Sequence, residues 1–456
     1  MISLSSKLFT WRQVAGIGAI FLVATVAIQR LLRYVCSDLI AFDCPYYWPV
    51  SIMDVRMPSA RDLVVAAVVV AAFFVAIRIL EARRYELRSV IASAILLIAG
   101  LSFIHGVEVG FYAPIAGDAQ TGVLMPYSLD GQEYYHDAIK VADARDFLAR
   151  YNELQPTLNR HSHTHPPGAV LTLYALHRIF GDPALMAIAI MLIATPVSLY
   201  FVYRLMAAAV DDNTARYVTA IFAFLPVVQI YYLATLDALI AAILIAALYL
   251  FCFGSSRGSA AAAAVLVSTS FFLTFVSLFI LPVLVGFELL VKRSLKRSAI
   301  VVIGLVAFHV LLSWFTGYDA IRAFRTASAF ENPRGFMLFV EPANYLFTRL
   351  EDIAEIVFFL GPFLLLLFFR GFSKLRERPH LILTLLGCAT FAGMLVTGAF
   401  RTGETARACI FLYPFLLFPV AHYLDDSGAG DPECRQLITL VFAQAVGMQL
   451  FGNYHW

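Results

Sequence analysis

The chain has 456 residues, of which 61% are hydrophobic and only 14% charged, with a mean hydropathy of +0.79. Soluble domains carry roughly 25% charged residues, so composition excludes a soluble enzyme and makes the bilayer the solvent in which the sequence must be read. The net charge of +2 identifies no partner, and nucleic acid is not expected as one.

At about 20 apolar residues per crossing, spans are predicted near 14–32, 62–80, 89–110, 183–206, 214–231, 237–253, 298–315, 352–370, 380–398, 408–423 and 436–451. The first lacks a clear small-residue cleavage site after its apolar core and reads as an anchor. Basic residues collect in loops that stay inside, which puts Lys7 and Arg12, Arg78 with Arg83, Arg84 and Arg88, Lys292 to Arg297, and Arg370 to Arg378 in the cytoplasm. Both ends of the run 260–291 are then inside, so it predicts a hairpin of two short helices turning near Thr274; one long tilted helix is the alternative. The expectation is an all-α polytopic membrane protein of about 13 transmembrane helices (11 to 13). Three N-terminal spans (1–110) precede a large extracytoplasmic loop (111–182) and the remaining spans and outer loops (183–456).

Cys36 and Cys44 share the first outer segment, where a disulfide can persist, whereas Cys252, Cys388, Cys409 and Cys434 are scattered without a CxxC spacing. In the large loop, Ala138, Val141, Ala142, Phe147 and Leu148 fall roughly on one side of a helix suited to the membrane surface. The stretch HSHTHPPG occupies 161–168; Pro166 and Pro167 suit the first turn of a second helix over about 167–180, too short to span. Together these helices would roof the membrane region. Further along, Asp237 starts a helix at an outer end, where a carboxylate can also simply cap free amides.

The order Asp130, Tyr134, an amphipathic helix, His165 directly before Pro166 and Pro167, a second helix, then Phe180 and Gly181 resembles the first extracytoplasmic loop of GT-C glycosyltransferases. The bacterial aminoarabinose transferases and the protein O-mannosyltransferases are the likest. Asp237, and the Thr274 turn with Pro282 after it, extend the likeness, which covers roughly residues 89–315.

The resemblance implies an inverting transfer of a sugar from a polyprenyl-phosphate donor to a lipid, cell-envelope glycan or protein acceptor, on the extracytoplasmic face of the cell membrane. Asp130 would be the general base, with Asp237 a second acidic residue and Asp118 and Asp137 substitutes for Asp130. His165, in place of the family's lysine, would stabilise the departing phosphate together with His163. Membrane lipids are the other expected partner. Two departures matter: Glu133 stands where the aminoarabinose transferases carry an arginine, and histidine replaces a fixed charge by one titrating near pH ~6.5.

In an extended strand His161, His163 and His165 would face one side and, with Asp130 or Asp237, could bind a divalent metal such as Zn, Mg or Mn. Asp130 could equally occupy an Asp-Gly turn with Gly131, and His136 beside Asp137 could be a surface pair. In the outer segment RTGETAR, Arg401 and Arg407 could clamp the lipid phosphate, with Glu404 a further acidic candidate; a headgroup anchor or plain polar turn explains them as well. Arg322, Arg325, Arg334 and Arg349 offer further contacts, and nothing selects one of them. A multi-span transporter or permease is the alternative. It calls for inverted repeats and broken helices with polar residues near the midplane, whereas polar chemistry in this sequence concentrates in the outer segments.

Overall fold

The computed structural model describes residues 8–34, 57–109, 124, 127, 133–375, 377–399, 404–452 and 454. Among them the chain is helical throughout, without a strand, and nine helices are long and apolar enough to cross a bilayer. These include Ala60–Ala82, Pro183–Ala207, Leu236–Phe253, Lys296–Thr316 and Asp431–Phe451. The protein is therefore an all-helical polytopic membrane protein. It divides into two compact units, Met1–His105 with Leu199–Tyr231 and Glu341–Tyr454, and Gly106–Ser198 with Tyr232–Val340 and His455–Trp456.

Three expected spans are interrupted. The one at 214–231 stops at Phe224 and restarts as Pro226–Tyr231, because Pro226 pushes Leu225 out of the helical region (ψ 140°). The one at 352–370 is instead two helices, Pro342–Leu360 and Pro362–Phe372, bent by 95° at Gly361. Gly361 has φ +86° and ψ 157°, a conformation that glycine adopts without strain and other residues do not. The one at 408–423 becomes a turn, Ile410–Leu412, and a helix, Tyr413–Asp426, because Pro414 is at home only in a first turn. By contrast the run 260–291 does break at Thr274, whose extended backbone (φ −155°, ψ 139°) separates helix Arg257–Leu273 from the turn Phe275–Phe279 and helix Ile280–Phe287.

In the first unit, apolar helices meet through rings: Phe73 stacks on Phe442 at 4.3 Å and meets Phe224 edge-on at 5.7 Å. In the second, helix Arg257–Leu273 packs on both Leu236–Phe253 and Lys296–Thr316. Cations close the carboxyl end of helix Leu236–Phe253: Lys292 Nζ donates to the Cys252 carbonyl at 2.7 Å and Arg297 Nη2 to the Leu250 carbonyl at 2.7 Å. The loop 133–182, with the histidines, belongs to this second unit.

Candidate functional site

The predicted surface helix around 138–148 is two helices, Tyr134–Ala138 and Ala144–Leu154. Asp143 restarts the chain by accepting the Asp146 amide at 2.8 Å as an N-cap. The second helix carries polar residues on its buried face, and they fasten the histidine-bearing turn at 160–165. Gln155, just beyond the helix and fully buried, donates through Nε2 to the His163 carbonyl at 2.8 Å and the Ala323 carbonyl at 3.0 Å. The Tyr151 hydroxyl donates to the Ser162 carbonyl at 2.9 Å and reaches the His165 carbonyl too. Burial raises the Tyr151 phenol well above its ordinary value, so it stays protonated and a donor.

Those contacts hold a helical turn, not the extended strand that would set all three histidines on one side. Residues Arg160–Thr164 form a short helix, begun by the His163 amide bonding to the Asn159 carbonyl at 2.7 Å. Asp137 Oδ2 accepts the Asn159 amide at 2.9 Å, so this buried carboxylate, an alternative base in the sequence reading, anchors the turn. Helical spacing separates the three histidines. His161 and His165, four apart, share a side with ring centroids 6.4 Å apart, and each flanks Tyr134, at 5.6 and 5.3 Å. His163 points away and lies against Phe330 at 4.1 Å; its burial lowers its pKa below 6.5, opposed by Glu331. The three-histidine metal site therefore does not form, and among the described residues no three His, Cys, Asp or Glu groups converge to hold an ion.

The remaining pair is oriented. His165 Nδ1 lies 3.0 Å from the His161 carbonyl and 3.1 Å from the Thr164 hydroxyl, which fixes the orientation of the ring. His161 Nδ1 lies 3.2 Å from Oε2 of the buried Glu133. Directly afterwards Pro167 leads into helix Gly168–Phe180, as the two prolines predict. A Cβ on Gly168 would come 2.2 Å from the Phe272 carbonyl, so the helix start sits directly on the backbone of helix Arg257–Leu273.

Asp237 is half-buried in the first turn of helix Leu236–Phe253. The turn before it is buried, and Ala234 adopts φ +80°, a strained setting for alanine. The buried Tyr127 hydroxyl donates to the Ala234 carbonyl at 3.1 Å, and the Tyr127 ring meets Tyr135, whose hydroxyl lies 3.0 Å from His177 Nδ1.

The first unit holds a cluster that sequence reasoning did not single out. Helix Pro342–Leu360 buries Arg349, Glu351, Asp352 and Glu355. Glu355 accepts the Thr405 and Ala406 amides at 3.2 and 3.1 Å; Asp352 accepts the Thr405 hydroxyl at 2.5 Å and pairs with Arg349 at 3.1 Å. Arg349, one of the candidate phosphate contacts, also donates to the Leu395 carbonyl at 2.9 Å. Arg407 is buried and pairs with Glu404 at 3.6 Å. Asp118, Asp130 and Arg401 lie outside the described residues, as do Cys36 and Cys44.

No protein-family model matches the chain, and no curated protein matches it.

Proposed function

We propose that the chain is a membrane glycosyltransferase of GT-C type that moves a sugar from a polyprenyl-phosphate donor to a hydroxyl acceptor on the extracytoplasmic face of the cell membrane. The observation that carries this reading is the oriented pair His161 and His165 around Tyr134, on a turn fastened from three directions and placed directly before a Pro-Pro helix start. In this reading His165, its ring oriented beside the His161 carbonyl, is the donor to a phosphate oxygen. In the reaction the acceptor oxygen attacks the anomeric carbon as a carboxylate takes its proton. The bond from that carbon to the phosphate oxygen breaks, and its electron pair leaves with the polyprenyl phosphate, whose added charge the histidine offsets. Asp130 is the expected base.

The test is sugar transfer by the reconstituted protein from a radiolabelled polyprenyl-phosphate sugar. His165→Ala is expected to lower the rate roughly 10²–10³-fold, as loss of a charge-stabilising donor does, and His165→Lys to recover much of it. Undiminished transfer by the alanine variant would remove His165 from the reaction.

One observation favours the transporter reading: the 95° break at Gly361 ends a helix that buries an arginine and three acids, and broken helices with ionisable groups mark transport pathways. Two of those acids are spent on the Thr405–Ala406 segment, which suits a structural role. Solute flux through proteoliposomes without sugar transfer would establish transport instead.

A further inference from the structure

Helix Ala320–Glu331 comes shortly after the apolar helix Lys296–Thr316 and has 12 residues, too few to cross a bilayer. Its two sides differ. Ala323 and Ala327 are buried, the Ala323 carbonyl takes the Gln155 amide, Phe330 lies on His163, and Glu331 lies 4.0 Å from Arg160. This side is the platform beneath the histidine turn. On the other side Ile321 is 67% exposed and Phe324 47%, one helical turn apart, flanked by the exposed Arg322 and Arg325.

That surface continues an existing one. Helix Lys296–Thr316 has an apolar, largely exposed surface that ends in Trp314, 83% exposed, and Phe315, 69% exposed. An exposed tryptophan at the end of an apolar helix marks the headgroup level. Phe324 meets the ring of Phe275 at 5.2 Å, and Phe275 meets Phe271 at 5.6 Å, so the short helix lies at the Leu273 end of helix Arg257–Leu273, which packs on helix Lys296–Thr316. An apolar strip beside arginines at headgroup level fits an anionic lipid surface.

We propose that helix Ala320–Glu331 is seated in the leaflet at the Thr316 end of helix Lys296–Thr316, with Ile321 and Phe324 among acyl chains and Arg322 and Arg325 on anionic phospholipid phosphates. The bilayer itself then supports the platform on which the histidine turn rests. In the topology set by the basic loops this is the outer leaflet.

The test uses the full chain in phosphatidylglycerol vesicles, carrying Phe324→Cys or Ile321→Cys with an environment-sensitive dye. The labelled parent protein supplies the background from native cysteines. Quenching by doxyl-labelled lipid is expected to exceed quenching by aqueous iodide at both positions; dominant iodide quenching at either overturns the proposal. In parallel, phosphatidylglycerol retained through detergent extraction is measured for the double variant Arg322→Glu, Arg325→Glu. Retention is expected to weaken by at least about fivefold per arginine reversed and to persist in the double lysine variant, whereas unchanged retention in the glutamate variant overturns the anionic-lipid contact. Neither readout involves sugar transfer, so failure here and failure of the transferase reading are separately visible.

Discussion

Two short helices, Arg160–Thr164 in one unit and Thr405–Ala408 in the other, are each too brief to be stable alone and are each fastened by buried side chains from elsewhere. The first is held largely by neutral donors, Tyr151 and Gln155, on its carbonyls, with Asp137 on the Asn159 amide at its start. The second is held by carboxylates, Glu355 on its amides and Asp352 on its first hydroxyl. Donors on the carbonyls fix the turn without using the histidine side chains. Carboxylates on the amides use up the groups that an anion would otherwise seek. The difference explains why the histidine turn is the better candidate for a phosphate, although both segments carry basic residues.

The comparison can be broken at the glycine that opens the helix after the histidine turn. Gly168→Ala drives a Cβ into the Phe272 carbonyl, and such overpacking against backbone costs about 3 kcal/mol. Thermal unfolding in nanodiscs should show it; an unchanged midpoint would mean the helix start does not sit on Phe272. Next is Glu355→Ala, which strands two amides, at roughly 1–3 kcal/mol for each unsatisfied buried group. Glu355→Gln, keeping one acceptor oxygen, should lose less. Equal losses for both would mean that the hydrogen bonds are not what Glu355 contributes.

Tyr151→Phe should cost about 1 kcal/mol of stability yet slow transfer more than that loss explains, because it loosens the His165 carbonyl. A rate unchanged beside a lowered midpoint would separate the anchor from the reaction. Ala234→Gly should relieve backbone strain of about 1 kcal/mol and raise the midpoint slightly. The smallest effect concerns pH. His163 in the folded protein binds its proton less readily than in the unfolded chain, so its contribution is complete above pH 6.5 and is lost as the pH falls below that value. His163→Phe should flatten this part of the stability profile, and an identical slope in parent and variant would contradict the assignment.

Much of the fold is readable from residues alone, for identifiable reasons. Apolar runs such as 62–80 and 298–315 announce helices because the bilayer leaves the backbone little choice. Pro166 and Pro167 mark the start of the next helix, and the break at Thr274 agrees with both flanks of the run being basic. The features that stay hidden depend on distant partners. Alternate histidines permit a strand as well as a turn, and the turn wins because Asp137, Tyr151 and Gln155 reach it from earlier helices. The polar triplet Tyr151, Asn152 and Gln155 on one side of an amphipathic helix is the signal that could have found it. The acids at 351, 352 and 355 fall at an expected loop-span boundary, and only the fold brings the amides of 405 and 406 to them.

The central claim is that a lipid phosphate sits at the histidine turn, and a high-resolution density map of the purified protein in lipid with added polyprenyl phosphate tests it most directly. Elongated lipid density whose phosphate lies within hydrogen-bond reach of His165 Nε2 is the expected result. Phosphate density remote from the turn, or a water-filled path crossing the membrane, would contradict it.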